Sequence, residues 1–366
     1  MLLQREVNPK SLLRVIAITL ALAPALLAQP SNVSVFASGF NNPRGLKFGP
    51  DGNLYVAEGG AGGTMSTAGL CNQVVAPVGP YTGGYTGRIS KVAPDGTVTT
   101  VAANLPSSQT SPAQGNLVSG VADVAFIGNT LYAILAGAGC SHGLAGTDNG
   151  VLRVNKDGST TMIADLSVFQ KSHPVANPQP GDFEPDGTWY SMVVVHGGFL
   201  AIEPNHGELD SVGLNGEIRR IADISQIQGH IVPTAVAFDG QNFLVGNLDL
   251  FPIRDGSSKI MKITPGGAIT TVYINFSDIV GLAIDGQGRL YVLENTTGNQ
   301  YPTPNTARIL RVDGKNNYTE IANGLTSPLS LPTAMTFGPD GNLYVSNLGF
   351  GPPPIGLGQV LKVVVP

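Results

Sequence analysis

The sequence has little charge and few of the residues that carry metal or redox chemistry. Of its 366 residues, 12 % are charged, two are cysteine, five are histidine and one is tryptophan, and the formal net charge is −5. The absence of a basic patch argues against nucleic acid as a partner. No nucleophile elbow, phosphate-binding loop, HExxH helix or EF-hand spacing occurs, so the enzyme classes that those motifs define are excluded.

Long apolar runs are also lacking, and the one candidate lies at the N-terminus. Three basic residues (Arg5, Lys10 and Arg14) precede a short apolar run at 15–23. This pattern is typical of a secretory signal peptide, and the run is short for a membrane span. We therefore predict a signal peptide at residues 1–28, with an uncleaved anchor as the alternative. The prediction implies a secreted or periplasmic protein with no membrane span after cleavage.

Glycine (48) and proline (27) are abundant, and one segment recurs six times. The fullest copies are 43–56 and 332–345, and weaker copies end near 133, 201, 245 and 292. Each copy is an alternating apolar stretch, a tight turn and a second alternating stretch, which is typical of a β-hairpin. Six such repeats predict an all-β fold, a single six-bladed β-propeller over residues 31–366.

A propeller blade has four strands, but the sixth repeat lacks a fourth strand of its own. The chain ends just after the third strand of that repeat, whereas residues 33–37 near the start have the fourth-strand pattern. We predict that this N-terminal strand completes the last blade. Such closure removes two exposed sheet edges at once.

Loop length differs between the two faces of the predicted propeller. The turns inside the hairpins are short and define the bottom face, whereas the long connections all lie on the opposite, top face. These insertions are 58–87, 135–150, 167–188, 225–232, 248–258, 295–307 and 348–358. Variable loops on a rigid scaffold commonly carry function, so we expect the top face to bind a ligand. Drift of surface loops is the alternative.

The two cysteines, Cys71 and Cys140, fall in top-face insertions of neighbouring blades. In an exported protein such a pair predicts a disulfide. A catalytic or metal-binding thiolate is the alternative, but neither residue has the surrounding His or Cys spacing of a metal site.

The first strand of each repeat is expected to be the inner strand of its blade, next to the central channel. The first residues of these inner strands are expected to ring the top mouth of the channel. This ring contains Arg44, Ala122, Tyr190, Thr234, Val280 and Thr333, and Asp123 belongs to the residues that follow it. A metal-dependent propeller hydrolase needs several carboxylate, amide or imidazole ligands there, and only Asp123 qualifies. The ring better suits a small molecule or peptide, with Arg44 as an anion donor and Tyr190 as an amphipathic wall. Residues that simply plug the channel are the alternative.

A second ring follows the second strand of each blade. Its members are Glu58, Leu135, Glu203, Asn247, Glu294 and Asn347. Their side-chain oxygens are suited to accept backbone N–H groups of the loop above, blade after blade. Alternatively, they form a carboxylate-rich rim for Ca²⁺ or another divalent metal.

The histidines of the third blade add a further candidate site. His206 and His230 lie close in sequence to Glu203, and together they suit a metal or acid–base site. Loop histidines that only satisfy local hydrogen bonds are the alternative. The candidate metal ligands from the sequence are Glu58, Glu203, His206 and Glu294.

Several longer segments resemble a known family. They are 43–46, 183–187, 203–208, 230–234 and 337–347. With them, nearly all of the chain after residue 28 resembles the ScyD/ScyE-like exported β-propeller family, and more distantly the NHL-type and gluconolactonase-like propellers. The resemblance implies a six-bladed, exported protein but no settled reaction. The lactonase relatives hold a metal at the channel mouth, and this chain departs from that pattern.

The sequence therefore favours an exported, monomeric and non-catalytic binding or assembly protein. Its partner would be a small molecule, protein or peptide bound at the top face. The predicted binding residues are Arg44, Asp123, Tyr190, Glu203, His206, His230 and Glu294. The alternative is a metal-assisted hydrolase or lyase, lactonase-like, that acts on a small secreted metabolite.

Overall fold

The structure, a computed structural model, describes residues 31–181, 183–351 and 355–366. The predicted signal peptide at 1–28 lies outside these residues. The strands of the described residues are β1 (Val33–Phe40), β2 (Pro43–Phe48), β3 (Leu54–Glu58), β4 (Thr82–Val92), β5 (Val98–Gln109), β6 (Val118–Ser119), β7 (Val121–Ile127), β8 (Thr130–Leu135), β9 (Gly150–Val154), β10 (Thr160–Asp165), β11 (Ser191–Val195), β12 (Gly198–Glu203), β13 (Glu208–Val212), β14 (Ile218–Asp223), β15 (Pro233–Phe238), β16 (Phe243–Asn247), β17 (Ser258–Ile263), β18 (Ile269–Phe276), β19 (Ile279–Ile284), β20 (Leu290–Glu294), β21 (Arg308–Gly314), β22 (Asn317–Asn323), β23 (Ala334–Phe337), β24 (Leu343–Asn347) and β25 (Gly358–Val363). The helices are α1 (Leu166–Ser172) and α2 (Ile224–Gln228), with 3₁₀ turns at Pro112–Gln114 and Cys140–His142.

These strands form six antiparallel sheets, one for each repeat of the sequence. Blade one has the order β2-β3-β4-β5-β6, and blades two to five follow as β7 to β10, β11 to β14, β15 to β18 and β19 to β22. Blade six has the order β23-β24-β25-β1, so the N-terminal strand pairs with the C-terminal one, from Val33↔Val363 to Phe40↔Gly358. The predicted six-bladed propeller and its closure are confirmed.

Packing between blades explains the burial of the second strands. Every residue of β16, β20 and β24 is buried, because each blade is covered on both faces by its neighbours. Between blades two and three, for example, Tyr132, Trp189 and Phe199 belong to one apolar cluster. Outer strands such as β14 and β22 are mostly half-buried or exposed, with one buried residue each. The core is therefore a set of layers between blades, arranged around the channel.

The short bottom turns have the chemistry that the sequence predicts. Gly52 and Gly341 both have a φ of +77°, a conformation that glycine adopts without steric cost. In each turn the preceding aspartate accepts the hydroxyl hydrogen bond of a tyrosine on the next strand: Tyr55 to Asp51 at 2.9 Å and Tyr344 to Asp340 at 3.1 Å.

The first blade carries a ribbon that the repeat pattern does not predict. The third and fourth strands of the other blades have five to eight residues, whereas β4 starts at Thr82 and has 11 and β5 continues to Gln109 and has 12. The extra pairs include Gly83↔Ser108, so the ribbon rises onto the top face. A Cβ on Gly83 would lie 2.4 Å from the carbonyl oxygen of His142, so only glycine allows this approach. The ribbon thereby brings Ser108 to the second blade.

The predicted disulfide joins Cys71 and Cys140, with an S–S distance of 2.07 Å. A disulfide fits an oxidising compartment such as the periplasm or the extracellular space. Among the described residues, no helix has the length and apolar character needed to cross a membrane.

Candidate functional site

The inner strands enclose a narrow channel on the propeller axis. Its cavity is about 40 Å³, and its lining includes Arg44, Asp123, Tyr190, Val280 and Thr333, all from the strand starts that the sequence singled out. Since one water needs roughly 10–15 Å³ by this kind of measure, the channel has space for only a few waters. A ligand therefore cannot pass through it, and the open part of the site is the top mouth.

Asp123 lies inside the channel and is almost fully buried. Its carboxylate accepts hydrogen bonds from the backbone N–H groups of Val124 at 2.8 Å and Met192 at 2.9 Å. Burial raises the pKa of Asp123 to about 6, and the positive charge of Lys47 opposes this shift. Gly45 packs directly on the carboxylate, because a Cβ there would lie 1.8 Å from its Oδ1 atom.

Arg44 and Tyr190 stand together at the channel mouth. Arg44 donates a hydrogen bond to the carbonyl oxygen of Val118, and the Tyr190 hydroxyl donates to the carbonyl oxygen of Thr333 at 2.9 Å. Burial lowers the pKa of Arg44, and burial raises the pKa of Tyr190. Among the described residues, no carboxylate lies within 4.0 Å of the Arg44 guanidinium. A guanidinium stays protonated in proteins, so Arg44 is a shielded cation with no counter-charge beside it in the described part of the chain.

Two connected cavities open above Arg44 on the top face. The first, which we call the mouth cavity, has a volume of about 190 Å³ and is lined by residues that include Arg44, Tyr81, Glu184, Thr188 and Tyr190. The second, which we call the apolar groove, has a volume of about 560 Å³. Its lining residues are Gln114, Gly115, Leu117, Phe251, Tyr301, Pro302, Pro304, Leu331, Leu348, Phe350 and Gly351. Four of them, Gln114, Leu117, Phe251 and Phe350, also line the mouth cavity.

The second ring of sequence candidates forms hydrogen bonds inside the blades. In four blades the side-chain oxygen accepts a backbone N–H from the loop before the inner strand. These bonds join Glu58 to Asn41 at 2.6 Å, Glu203 to Thr188 at 2.9 Å, Glu294 to Ser277 at 2.6 Å and Asn347 to Ser330 at 2.7 Å. In the fourth blade Asn247 accepts from Lys259 and donates to the carbonyl oxygen of Ile231.

The carboxylates of this ring do not converge on one point. Glu58 pairs with Arg88 at 2.6 Å, and Glu294 pairs with Arg308, each within its own blade. In the described part of the chain, no three His, Cys, Asp or Glu side chains are grouped so that they could hold a metal ion. The channel mouth itself presents Arg44 rather than a set of oxygen ligands. These residues do not fit the metal that the lactonase resemblance implies.

Glu203 and His206 meet through the backbone rather than through their side chains. The Glu203 carboxylate accepts the His206 backbone N–H at 2.5 Å, and burial raises the pKa of Glu203 well above its usual range. The His206 Nε2 atom donates to the carbonyl oxygen of Glu184 at 2.9 Å, and the ring packs on Phe183. His230 lies half-buried in the loop between α2 and β15.

The structure also brings together a buried polar network that the sequence did not reveal. The Tyr81 hydroxyl and the Asn205 amide donate to one oxygen of Glu184, at 2.6 and 3.0 Å. The other oxygen of Glu184 lies 3.4 Å from Nε2 of His142, and Nδ1 of His142 lies 2.8 Å from the Ser108 hydroxyl. Burial lowers the pKa of His142 to about 4, so this imidazole is neutral at pH 7.

This network resembles a Ser-His-Glu triad in composition, but its role is structural. Ser108 and His142 are completely buried, so the hydroxyl is not exposed to a substrate. The network holds Tyr81 and Glu184 in the wall of the mouth cavity. Its members come from strand β5 and four separate loops, and no periodicity in the sequence links them.

Comparisons with known proteins show the fold. No family model matches the chain, and no curated protein matches it. A structural genomics protein of unknown function from Bacteroides thetaiotaomicron is 13 % identical, with a TM-score of 0.57 over 90 % of this chain and 75 % of that chain. A gluconolactonase from Xanthomonas campestris is 11 % identical, with a TM-score of 0.53 over 91 % of this chain and 89 % of that chain.

A putative oxidoreductase (glucose dehydrogenase) from Thermus thermophilus is similar to the same degree. It is 16 % identical, with a TM-score of 0.54 over 91 % of this chain and 99 % of that chain. The structural neighbours are six-bladed propellers of the NHL and gluconolactonase-like type. At such identities the likeness extends to the fold alone.

Proposed function

We propose that this protein is an exported propeller, related to the ScyD/ScyE-like family, that binds a small anionic molecule at the mouth cavity without transforming it. The observation that carries the proposal is Arg44, a shielded guanidinium with no carboxylate within 4.0 Å among the described residues. The signal-peptide pattern at 1–28 and the disulfide support export to the periplasm or the medium.

The physical reason is the cost of a buried charge. A cation removed from water is destabilising unless a counter-charge or several hydrogen bonds replace its hydration. A bound anion supplies both, and a guanidinium pairs with a carboxylate through short, charge-assisted hydrogen bonds. The Thr188 hydroxyl is a further donor in the mouth cavity, since its oxygen is buried and has no hydrogen-bond partner in the described chain.

A negative residue in the same cavity does not neutralise Arg44. Glu184 lines the mouth cavity, but its oxygens face Tyr81, Asn205 and His142. Glu184 therefore interacts with the polar network rather than with Arg44. Asp249 also lines the mouth cavity, but among the described residues it forms no ion pair with Arg44. Arg44 is the one cation in the described lining that is available to a ligand entering from the top face.

The first test is the binding of acetate, the simplest carboxylate, to the full mature chain. Acetate added at constant ionic strength should raise the melting temperature, because a ligand that binds only the folded state stabilises it. Arg44→Gln should abolish the increase. Arg153→Gln, on an exposed arginine of the third strand of blade two, is the matched control and should retain it. Equal acetate effects in both variants would refute the proposal.

The metal-assisted hydrolase or lyase remains the competing function, and it has less support. It needs Glu203, His206, His230 or the Glu58 and Glu294 rim to converge, whereas Glu58, Glu203 and Glu294 are engaged in three different blades. Dialysis against a chelator separates the two functions. We expect an unchanged melting temperature and unchanged acetate binding, whereas a large loss of stability would favour the metal site.

A further inference from the structure

The apolar groove is a contiguous apolar surface on the top face. Its walls are mainly aromatic and aliphatic side chains, and Tyr301 is 58 % exposed. The rings of Phe251 and Tyr301 stack with a centroid distance of 6.0 Å and an interplanar angle of 23°. Contiguous exposed apolar surface next to a polar pocket typically marks a binding site.

The groove continues directly into the mouth cavity. Phe251 and Phe350 belong to both, so a molecule that lies on these rings can extend to the cavity that contains Arg44. With about 190 Å³ at the charged end and about 560 Å³ at the apolar end, the space is unequal. It suits a small head and a larger body, and the groove, at about 560 Å³, falls in the usual range of small-molecule sites.

The mouth cavity and the apolar groove also differ in their chemistry. The mouth cavity offers the Arg44 guanidinium and the Thr188 hydroxyl, which are donors to an anion. The groove offers aromatic faces, prolines and leucines, with few polar groups. Planar apolar groups stack favourably on aromatic rings, whereas a polyhydroxylated body would lose its hydration there without replacement hydrogen bonds.

We infer that the ligand is an amphipathic organic acid: its carboxylate pairs with Arg44, and its aromatic or other planar apolar body lies in the groove against Phe251, Tyr301 and Phe350. This inference rests on the proposed function, because it specifies the molecule that Arg44 binds. A small molecule fits better than a long peptide, because Arg44 lies at the end of a confined cavity above a channel of about 40 Å³.

The experiment compares acids of increasing apolar size by calorimetry on the full mature chain. The probes are acetate, 4-phenylbutanoate, the uncharged 4-phenylbutanamide and gluconate. Burial of the phenyl group should make 4-phenylbutanoate bind at least about tenfold more tightly than acetate. Gluconate, with its polar body, should bind no better than acetate. The amide should bind at least about tenfold more weakly than the acid.

Variants assign the two parts of the ligand to the two cavities. Tyr301→Ala should remove most of the advantage of 4-phenylbutanoate but leave acetate binding unchanged, because Tyr301 lines the groove and not the mouth cavity. Tyr85→Ala, at an exposed tyrosine outside the groove, is the control and should leave both unchanged. Tyr301 is mostly exposed, so its variant is expected to fold, and a melting curve verifies this.

The outcomes separate this inference from the proposed function. If acetate binds through Arg44 but 4-phenylbutanoate gains nothing, the amphipathic ligand is wrong and anion binding stands. If no acid binds, or if Arg44→Gln changes nothing, the proposed function itself fails. If N-acetyl-glycyl-phenylalanine binds more than about tenfold more tightly than 4-phenylbutanoate, the ligand is a peptide and the small-molecule assignment is overturned.

Discussion

At the residue scale, the channel depends on the contact between a glycine and a buried carboxylate. Gly45 of blade one faces Asp123 of blade two, and the carboxylate in turn accepts the backbone N–H of Met192 in blade three. Three inner strands are thus held together at one point near the axis. Asp123 therefore has a structural role in the channel, whose described lining has too few oxygen ligands to hold a metal.

Gly45→Ala should destabilise the protein strongly. The new Cβ would lie 1.8 Å from the Asp123 carboxylate and 2.7 Å from its Cα, so backbone has to move. Overpacking of this kind typically costs about 1–3 kcal/mol or more, and we expect the upper end of that range. Urea unfolding measures the change. Gly286→Ala is the control, since nothing lies within 4 Å of its Cβ position, and similar losses in both variants would contradict the argument.

Asp123→Asn should change how stability depends on pH. Burial raises the pKa of Asp123 from 3.8 to about 6, so the folded protein favours the protonated carboxyl. The resulting stability is present below pH 4 and is lost as the pH rises to 6. An asparagine side chain does not titrate, so the variant keeps its stability over this range. Its free energy of unfolding, relative to that of the wild type, should therefore rise by up to about 3 kcal/mol between pH 4 and pH 7.

The measurement is the difference in unfolding free energy between variant and wild type at several pH values. His142 has the opposite effect on stability. Its pKa is lowered to about 4 in the folded protein, so the folded state loses stability as the pH falls below 6.5. That effect is common to both proteins and cancels in the difference. A difference that stays constant with pH would show that Asp123 titrates normally.

At the scale of single elements, the top face is built by one extended ribbon and one covalent link. The β4–β5 ribbon carries Ser108 to His142, and the disulfide joins the insertion before β4 to the loop after β8. Both features connect blade one to blade two. They support the wall that contains Tyr81 and Glu184, and so they shape the mouth cavity.

Removal of the disulfide should destabilise the fold and loosen this wall. The cysteines are 69 residues apart, and for a loop of that length the chain-entropy model gives roughly 4 kcal/mol as an upper figure. The Cys71→Ser/Cys140→Ser variant should therefore unfold at a lower urea concentration and bind acetate more weakly. A reducing agent should shift the wild type to the same midpoint and leave the variant unaffected. Equal midpoints for oxidised wild type and variant would refute the role of the link.

At the scale of the whole molecule, the ring is held closed by strands from opposite ends of the chain. β1 pairs with β25 along its length, and Asn32 also donates to the carbonyl oxygens of Ile321 and Val364. Because β1 covers β25, the last blade does not expose the edge of β25. Because the first and last strands of the chain share one blade, we expect the propeller to unfold as one cooperative unit.

Deletion of residues 31–40 should remove most of the stability. It eliminates the burial of Val33, Ala37 and Phe40 and exposes the edge of β25. At about 1.5–3 kcal/mol for each large apolar side chain, Val33 and Phe40 alone account for about 3–6 kcal/mol, a large part of a typical total. Chains that begin at Ser31 and at Asn41 are compared by thermal unfolding. Equal melting temperatures would show that β1 does not close the ring.

The sequence by itself determined the architecture because hairpins are local. An alternating stretch, a Pro-Asp-Gly turn and a second alternating stretch specify a strand pair over about 14 residues, and six copies specify the propeller, as at 43–56 and 332–345. The same pattern determined the closure by β1, the face that carries the long loops and the pairing of Cys71 with Cys140. It also placed Arg44 and Tyr190 at the mouth of the channel.

Only the tertiary structure decided what surrounds those residues. The partners of His142, the lack of a carboxylate beside Arg44 among the described residues, and the approach of Phe251 to Tyr301 all join loops from distant parts of the chain. Glu58 and Glu294 match in sequence position, as do their partners Arg88 and Arg308, but only the folded ring shows that the two carboxylates stay in separate blades. Loop residues carry no repeat and no alternation, so their contacts depend on how the closed ring sets each insertion against the next. A periodic pattern determines backbone pairing, whereas the chemistry of the site arises from contacts between loops that only the folded ring brings together.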